Sequence, residues 1–365
     1  MLRMPWQQTF LLLDTQISKF NSPLLAAQPY LYSTMRLLLI SPQTYNYHKV
    51  LQSACRANDI DFSWLDERPF ANPFFKFFSR KFNRLARYLS RKYYFRKISA
   101  LRDSGFSPSH VLIIKGEAIH QSVISYMREL FPNARFILYF WDSITNLPGA
   151  AAISHLFDVT ITFDYKDSVE QGWKFFPLFA GNYTLYSRGC LDSPETPTPS
   201  YDWSFVGAIH SDRILVIDKL CRSSSSHRNY YIFLYAQTFF HLILHSIRHP
   251  FAFLRLKKYI HMNTLDPGLL SDIYSESRCV LDIHHPCQTG VTMRTVEALL
   301  SGKKVATTNV NALNLSISDS SRISVIDRAR PTVSSEFIFS PVVPISHFLS
   351  NQYYPDNWLL RLLAH

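Results

Sequence analysis

The polar residues with the clearest chemistry lie at the start of one predicted helix. The stretch HHPCQTGVTMRTVEALLSGKKVATTN covers residues 284–309. A helix N-terminus presents free backbone N–H groups and the positive end of the helix dipole, and both favour a phosphate group. Gly290 lets an anion approach closely, and the hydroxyl groups of Thr289 and Thr292 add donors. Arg294 adds positive charge, so this end of the helix is a candidate phosphate site.

Glu297 extends the same site from phosphate to sugar. It lies one to two turns into the helix, where its carboxylate can accept two hydrogen bonds from a ribose diol. Phosphate and ribose contacts on one helix predict a nucleotide diphosphate as the ligand, with His284 and Gln288 beside it. The alternative is a capped amphipathic helix whose Arg294 and Glu297 are solvated. The glycine motifs GxGxxG and GxxxxGKS are absent from the sequence, which argues against a dinucleotide-dependent oxidoreductase and a P-loop NTPase.

The elements that position these residues are predicted to form two similar α/β domains. Apolar strands such as MRLLLIS (residues 35–41) and WSFVGAI (residues 203–209) alternate with helices, which is typical of parallel sheets covered on both faces. A chain of 365 residues is long enough for roughly two domains. The predicted divisions are an N-terminal extension over residues 1–34, a first domain over 35–190, a Pro/Ser/Thr-rich linker over 191–202, a second domain over 203–335 and a C-terminal tail over 336–365.

Polar side chains follow the predicted strands of both domains, at the edge where open α/β sheets bind ligands. The first domain places there residues 66–68, Lys115, Glu117, Asp142 and Asp164, and the second places there His210, Arg213 and residues 284–290. Each of them alone is an ordinary loop residue. Together they predict a ligand site in a cleft between the two domains.

Charge and cysteine content limit the classes of partner. The formal net charge of +11 predicts an anionic partner, which is a phosphorylated small molecule, a nucleic acid or an anionic membrane surface. The five cysteines are scattered without a CxxC pair, so a reducing cytosol fits better than a disulfide framework or a zinc ribbon.

The cluster His284, His285 and Cys287 lacks a second ligand pair at a matching spacing, so no metal site is predicted. No uncharged apolar run reaches about 18 residues, so no membrane-spanning helix is predicted.

Two aromatic segments carry many basic residues. Residues 72–97 contain no acidic residue, and their apolar residues recur at helical spacing with arginines on the opposite face. This pattern predicts a cationic amphipathic helix that binds an anionic membrane surface through Phe74–Lys97. The alternatives are a core-packed helix with a solvated basic face and a nucleic-acid site. Residues 239–258 predict a pair of core helices, with membrane contact as the alternative.

Four stretches of the chain resemble group-1 glycosyltransferases of the GT-B fold. FVGAIHSDR (residues 205–213) and residues 282–309 are similar to the C-terminal domain of that group. FILYFWDS (residues 136–143) and residues 157–179 resemble its bacterial lipopolysaccharide and capsular polysaccharide members. The resemblance covers most of residues 35–330. It implies an α/β GT-B fold in which two Rossmann-like domains face a central cleft with parallel sheets, and a C-terminal tail that returns to the first domain.

The resemblance also implies roles for individual residues. Glu297 matches the glutamate that holds the ribose of the donor nucleotide, and Gly290 and Thr292 match the turn around the donor phosphates. Arg213 matches a diphosphate-binding cation. The group often carries a second acidic residue eight positions before the ribose glutamate, where this chain has Thr289. The sugar contact and the stereochemistry of transfer are therefore left open.

The predicted activity is transfer of a sugar from a nucleotide-diphosphate-sugar donor to a saccharide or polyprenyl-linked acceptor in bacterial surface polysaccharide biosynthesis. Glu117 and Asp142 are the candidate bases for an inverting reaction, because each ends a predicted strand at the cleft. Cations and the helix dipole would stabilise the leaving diphosphate, so no cofactor and no metal are predicted. The predicted location is cytoplasmic, peripheral on the inner face of the cell membrane, with no nucleic-acid partner. The alternatives are a GT-B-like nucleotide-sugar epimerase, a non-catalytic nucleotide-sugar-binding protein on the membrane and a nucleic-acid-binding protein.

Overall fold

The computed structural model describes residues 35–43, 46–68, 83–147, 149–181, 199–223 and 229–365. The predicted N-terminal extension and residues 191–198 of the predicted linker lie outside these ranges. The described chain forms two six-stranded sheets, and every pair of neighbouring strands in them is parallel. The predicted α/β fold of two Rossmann-like domains is therefore confirmed.

The first domain is a sheet with helices on both faces. Its strands are β1 (Arg36–Ser41), β2 (Asp61–Asp66), β3 (His110–Ile114), β4 (Arg135–Phe140), β5 (Val159–Thr162) and β6 (Lys174–Phe175). Its helices are α1 (Tyr47–Ala57), α2 (Asn83–Asp103), α3 (Gln121–Leu130) and α4 (Tyr165–Gln171), with 3-10 helices at Ile144–Asn146 and Ala151–Leu156. The strand order is β2-β1-β3-β4-β5-β6. Alternate residues of β1 belong to two separate apolar cores, Leu37 to one and Leu38 to the other, which explains why this strand is apolar throughout.

The second domain is also a six-stranded parallel sheet, but its strand order differs from that of the first. Its strands are β7 (Tyr201–Ala208), β8 (Tyr230–Tyr235), β9 (Ile260–His261), β10 (Ser277–Asp282), β11 (Lys304–Thr307) and β12 (Ile323–Val325), in the order β12-β11-β10-β7-β8-β9. Its helices are α5 (Arg213–Ser223), α6 (Phe239–Arg248), α7 (Pro250–Leu256), α8 (Pro267–Ser275) and α9 (Met293–Leu300), with 3-10 helices at Lys257–Tyr259 and Val310–Asn314. Three further helices follow, α10 (Ser335–Phe339), α11 (His347–Asn351) and α12 (Pro355–Leu363).

Helix α12 leaves the second domain and packs into the core of the first. The indole of Trp358 is fully buried, 5.4 Å from the ring of Tyr139 and 4.7 Å from the ring of Phe179. Its Nε1 donates a hydrogen bond to the carbonyl oxygen of Pro177 at 2.7 Å. The last helix of the chain therefore covers one face of the first sheet.

The carboxyl ends of the two sheets meet at the boundary between the domains. Asp164, which follows β5, hydrogen-bonds to Thr289 and Gly290, which follow β10. An apolar cluster continues this boundary, because Tyr165 of the first domain belongs to the same buried cluster as Val291 of the second. The two sheets therefore face a shared cleft, and these contacts hold the cleft closed.

Candidate functional site

Helix α9 begins at the loop that the sequence predicts as a phosphate site. Thr292 is its N-cap, and the Thr292 hydroxyl accepts a hydrogen bond from the backbone N–H of Thr295 at 3.4 Å. The helix ends at Leu300, and Gly302 two residues later has a left-handed φ of 69° and donates its N–H to the carbonyl of Leu299 at 3.0 Å. Most of the helix is buried. Its first turn and the loop before it are less buried than the rest of the helix.

The backbone N–H groups of this loop are bound to a carboxylate from the first domain. Asp164 Oδ2 accepts from the N–H of Thr289 at 2.7 Å and from that of Gly290 at 3.1 Å, and Oδ1 accepts from the Thr289 hydroxyl at 2.5 Å. The same carboxylate caps α4 by accepting from the N–H of Lys166 at 3.0 Å. Gly290 lies against Phe163, and a Cβ at position 290 would overlap that ring. The predicted anion site therefore binds an acidic side chain of the protein itself.

Asp142, one of the two candidate bases, reaches the same loop. Its carboxylate accepts from Lys115 Nζ at 3.2 Å, from Asn146 Nδ2 at 3.0 Å and from Gln288 Nε2. Gln288 belongs to the second domain, so the structure brings two predicted site residues into direct contact. Lys115 has a φ of 77°, a left-handed conformation that is uncommon outside glycine. Such a conformation costs of order 1 kcal/mol or more, and it places the lysine beside Asp142.

Glu117, the other candidate base, lies in a separate cluster on the first-domain edge. Its carboxylate pairs with Arg68 Nη2 at 3.3 Å. The backbone N–H groups of Glu117 and Ala118 donate to the carboxylate of Glu67, which is fully buried. Burial and the nearby Glu117 raise the pKa of Glu67 to about 7. The sequence assigns no role to Glu67, and its position at the end of β2 is the only signal for it.

Helix α2 contributes a buried arginine to this cluster. Arg87 is buried, and its guanidinium donates to the carbonyl oxygen of Glu117 at 2.8 Å and to that of Gly149 at 2.9 Å. The sequence pattern places Arg87 on the basic face of this helix, opposite its apolar residues, and the burial of Arg87 contradicts that placement. The reason lies in the tertiary structure, because loops after β3 and β4 present carbonyl oxygens to this side chain.

Glu297, the predicted ribose contact, is buried at the domain boundary. Its Oε1 accepts a hydrogen bond from the backbone N–H of Gly181 at 3.0 Å. The ring of Tyr47 occupies the space that a Cβ of residue 181 would need, so Gly181 is held between the two groups. A ribose diol reaches this carboxylate only if the segment around Gly181 moves.

Arg294 is held by an acidic side chain of its own domain. Its Nη1 lies 2.7 Å from Asp282 Oδ1, and the Thr295 hydroxyl donates to Asp282 Oδ2 at 2.8 Å. The Asp282 side chain is fully buried and that of Arg294 is 16% exposed. Burial acts to raise the pKa of Asp282, but Arg294 and the hydroxyl donors outweigh it, so the pKa lies below its ordinary value. A Cβ at Gly207 would lie 2.7 Å from Arg294 Nη2, which explains the glycine in the strand FVGA.

Arg213 and His284 are also bound to protein groups. Arg213 Nε donates to the carbonyl of Ile283 at 2.7 Å and Nη1 donates to that of Ala208 at 3.1 Å, which ties the ends of β10 and β7 together. His284 Nδ1 lies 2.7 Å from the Thr308 hydroxyl. Burial lowers the pKa of His284 to about 4, so its imidazole is neutral at pH 7.

Arg328 is a residue at this edge that sequence reasoning missed. Its Nη2 donates to the carbonyl of His284 at 2.7 Å and to the Thr308 hydroxyl at 3.0 Å, and its Nη1 pairs with Asp212 at 2.5 Å. Its side chain is 24% exposed, more than that of Arg294. Its location shortly after β12 is the only sequence signal, because no motif marks it.

The predicted site residues therefore lie along two facing edges. Asp142 and Gln288 touch across the cleft, Thr289 and Gly290 bind Asp164, and Glu117 stands apart with Arg68 and Glu67. Their roles toward a ligand stay predictions. Within the described ranges, no group of three or more His, Cys, Asp or Glu residues is placed to hold a metal ion.

Solved structures share this fold. An α-glucosyltransferase solved with UDP and a 13-mer DNA matches with a TM-score of 0.51 and 12% identity, over 90% of this chain and 96% of that chain. HepE of Anabaena, solved with UDP and glucose, matches with a TM-score of 0.50 and 10% identity, over 90% and 94% of the two chains. No protein-family model and no curated protein matches the chain. At these identities the similarity shows the fold alone, and it confirms the predicted GT-B arrangement.

Proposed function

We propose that this chain, which has the GT-B fold, transfers a sugar from a nucleotide-diphosphate-sugar donor to a saccharide or lipid-linked acceptor. The observation that carries the proposal is the meeting of two sheet edges. The loop before α9 in the second domain faces Asp142 and Asp164 of the first. Backbone donors that suit a phosphate and carboxylates that suit an acceptor hydroxyl thus border one cleft.

The donor diphosphate is proposed to take the place that Asp164 now holds on this loop. The N–H groups of Thr289 and Gly290 converge on one carboxylate, and the same geometry suits a phosphate oxygen. Both groups are anionic, so they cannot share these donors. The two domains must therefore separate at this point before the donor binds. Separation at the nearby Gly181 would also expose Glu297 to the ribose.

Transfer breaks the bond between the anomeric carbon and the diphosphate, and negative charge accumulates on the leaving group. After Asp164 has left, the N–H groups of Thr289 and Gly290 and the dipole of α9 stabilise that charge. Arg294 and Arg213 lie behind the loop and add positive potential, although each is bound to protein groups. With these charges in place we propose no cofactor and no metal.

An inverting reaction also needs a base for the acceptor hydroxyl. Asp142 is the proposed base, because it touches Gln288 of the donor loop and so lies where the two substrates would meet. Glu117 is the alternative, in the neighbouring cluster with Arg68. A hydroxyl that loses its proton to Asp142 attacks the anomeric carbon while the diphosphate departs.

We further propose that the acceptor belongs to bacterial surface polysaccharide and that transfer takes place at the inner face of the cell membrane. The resemblance of the first-domain motifs to lipopolysaccharide and capsule enzymes supports this acceptor class. The acid-free segment 72–97 supports the membrane location, although residues 69–82 lie outside the described part. Further along α2, Leu85, Tyr88 and Leu89 are exposed. Exposed apolar side chains on a basic helix are typical of peripheral contact with anionic lipid.

Thermal unfolding in the presence of nucleotides tests the donor site. The wild-type protein should be stabilised by one member of a panel that begins with UDP, the nucleotide present in both structural neighbours. A ligand at a hundred times its Kd stabilises a protein by roughly 2.7 kcal/mol. Glu297→Gln keeps an acceptor for the N–H of Gly181 but loses the carboxylate that pairs with a diol. The stabilisation by nucleotide should therefore largely disappear in this variant.

Glu170→Gln is the matched control, because Glu170 is an exposed carboxylate on α4 that pairs only loosely with Lys166 at 3.8 Å. Each variant's shift is measured against its own unliganded midpoint, so that lost stability is not mistaken for lost binding. A folded wild-type protein that no nucleotide stabilises would contradict the donor site. Equal stabilisation of both variants would contradict only the role of Glu297.

A further inference from the structure

Helices α6 and α7 of the second domain expose a row of large apolar side chains. We call this row the α6–α7 face; its residues are Phe239, Phe240, Ile243, Ile247, Phe251 and Leu254. Ile247 is 73% exposed and Phe251 is 75% exposed. No helix in the described part of the chain is both long and apolar enough to cross a bilayer. The predicted pair of core helices is therefore wrong for the outer side of these helices.

The face is continuous because its residues recur at helical steps. Phe240, Ile243 and Ile247 follow one another at three- and four-residue spacing along α6. In α7 the buried residues are Ala252 and Leu256, which join the second-domain core and turn the rest of the helix outward. The inner side of the helix pair is thus packed against the second-domain core. The outer side keeps apolar residues where a solvated helix would carry polar ones.

Exposed basic residues lie at the ends of α6 and α7. They are Arg248, Lys257 and Lys258, which we call the cationic rim of the face. Residues 219–265 contain no Asp or Glu. The nearby acidic residue Asp218 is already bound by Arg222 and Arg255. The face therefore presents apolar side chains within a cationic rim.

The α6–α7 face begins at the edge of the sheet that borders the cleft. Helix α6 starts just after β8, and β8 runs parallel to β7, so both strands end at the same edge. That edge carries the loop that contacts Asp142 and Asp164 of the first domain. An occupant of the face would therefore lie beside the cleft entrance.

We infer that the α6–α7 face docks on an anionic lipid surface, with its phenylalanine and isoleucine side chains among the acyl chains and its rim on the headgroups. Charge selects this occupant. A second copy of the chain that paired through the same face would bring two cationic rims together without an acidic residue from this segment between them. Anionic headgroups complement the rim, and an acyl layer accommodates the apolar row. This inference concerns another surface than residues 72–97 and does not depend on the proposed sugar transfer.

Sedimentation with lipid vesicles tests the inference on the full chain. The protein should sediment with vesicles of equal parts phosphatidylcholine and phosphatidylglycerol, and much less with phosphatidylcholine alone. The triple variant Phe240→Ser, Ile247→Ser and Phe251→Ser should partition at least about thirtyfold more weakly, because each apolar side chain contributes severalfold. The charge variant Arg248→Glu, Lys257→Glu and Lys258→Glu should lose the preference for phosphatidylglycerol.

Two controls make the outcome specific. Phe348→Ser removes an equally exposed phenylalanine outside the face and should leave partitioning unchanged. Leu85→Ser with Leu89→Ser removes exposed apolar side chains of α2, the other proposed membrane contact, and should weaken sedimentation less than the triple variant does. Circular dichroism and the unliganded thermal midpoint show that each variant is folded.

Three results would overturn the inference. The first is unchanged partitioning of the triple variant. The second is loss of sedimentation in the α2 variant alone, which would assign the membrane contact to the first domain. The third is a concentration-dependent dimer in the absence of vesicles that the triple variant abolishes, which would assign the face to a second copy of the chain.

Discussion

Each edge of the cleft carries an arginine–carboxylate pair, but the two pairs differ in distance and in burial of the carboxylate. At the second-domain edge, Asp282 is fully buried and bonded to Arg294 and Thr295 at 2.7 and 2.8 Å. At the first-domain edge, the pair of Arg68 and Glu117 is longer, at 3.3 Å, and both side chains remain partly exposed. Water thus reaches the carboxylate of Glu117 and is excluded from that of Asp282.

This difference indicates a division of work between the domains. At the second-domain edge, Asp282 and Arg294 bind each other within the domain. The loop N–H groups of Thr289 and Gly290 point toward the first domain. The first-domain edge keeps two carboxylates, those of Asp142 and Asp164, whose partners include groups of the other domain. Asp164 joins the two, because it caps a helix of its own domain and binds the loop of the other.

Replacement of Asp282 by Asn should have the largest effect on stability. The amide keeps the shape and still accepts from the Thr295 hydroxyl, but it removes the charge opposite Arg294. Removing one partner of a buried ion pair typically costs roughly 3–5 kcal/mol. Denaturant unfolding should show a loss of this size in the free energy of unfolding.

The matched change at the first-domain edge is Arg68→Gln, which removes the partner of Glu117. Because this pair is accessible to water, the free energy of unfolding should fall by less than about 1 kcal/mol. Equal losses in the two variants would show that the two edges do not differ in the way described.

Glu67→Gln should change how stability depends on pH. The pKa of Glu67 is raised to about 7 by burial and by Glu117, while Arg68 and Lys115 oppose the shift. The folded protein therefore holds this proton more tightly than the unfolded chain. Stability falls as pH rises from the ordinary pKa of a glutamate toward 7, by up to about 3 kcal/mol, and is level above that. In the variant, this fall should be absent.

Denaturant unfolding of wild type and variant at a series of pH values from 4 upward, roughly to 8, measures the difference. A difference between the two proteins that does not change across this range would contradict the raised pKa. If the variant becomes more stable relative to wild type as the pH rises toward 7, Glu67 is a buried carboxyl group that is protonated in the folded protein.

Asp164→Asn should have a smaller effect, on donor affinity. Asn is as good an N-cap as Asp, so α4 should persist. The single amide oxygen of Asn keeps the cap of α4, so its NH2 group faces the N–H groups of Thr289 and Gly290 and cannot accept from them, which removes at least about 1 kcal/mol of competition. A phosphate that competes for these groups should then bind roughly fivefold more tightly, as measured by calorimetry with the nucleotide found in the thermal panel. Unchanged or weaker binding would mean that the donor does not use these two groups.

The helix at the centre of the site was predictable from local sequence alone. Thr292 as the N-cap and Gly302 as the left-handed end of α9 follow from side-chain size and hydrogen-bonding capacity. The partners of its side chains were not predictable in the same way. Arg294 was expected to meet a phosphate, but it binds Asp282, because β10 and α9 come together in the folded domain. Asp164 was recognised as a strand-end residue, but its bond to a loop 125 residues later depends on how the domains dock.

The sequence by itself determined the parallel sheets, because apolar runs of one strand length can be buried only between two layers of helices. It also determined the basic character of the α6–α7 segment, since no acidic residue lies between positions 219 and 265. Only the tertiary structure decided which apolar residues are left uncovered. Helical spacing shows that Ile243 and Ile247 share a side of α6, but burial depends on what the rest of the chain places against that side, and no residue in the described ranges covers them.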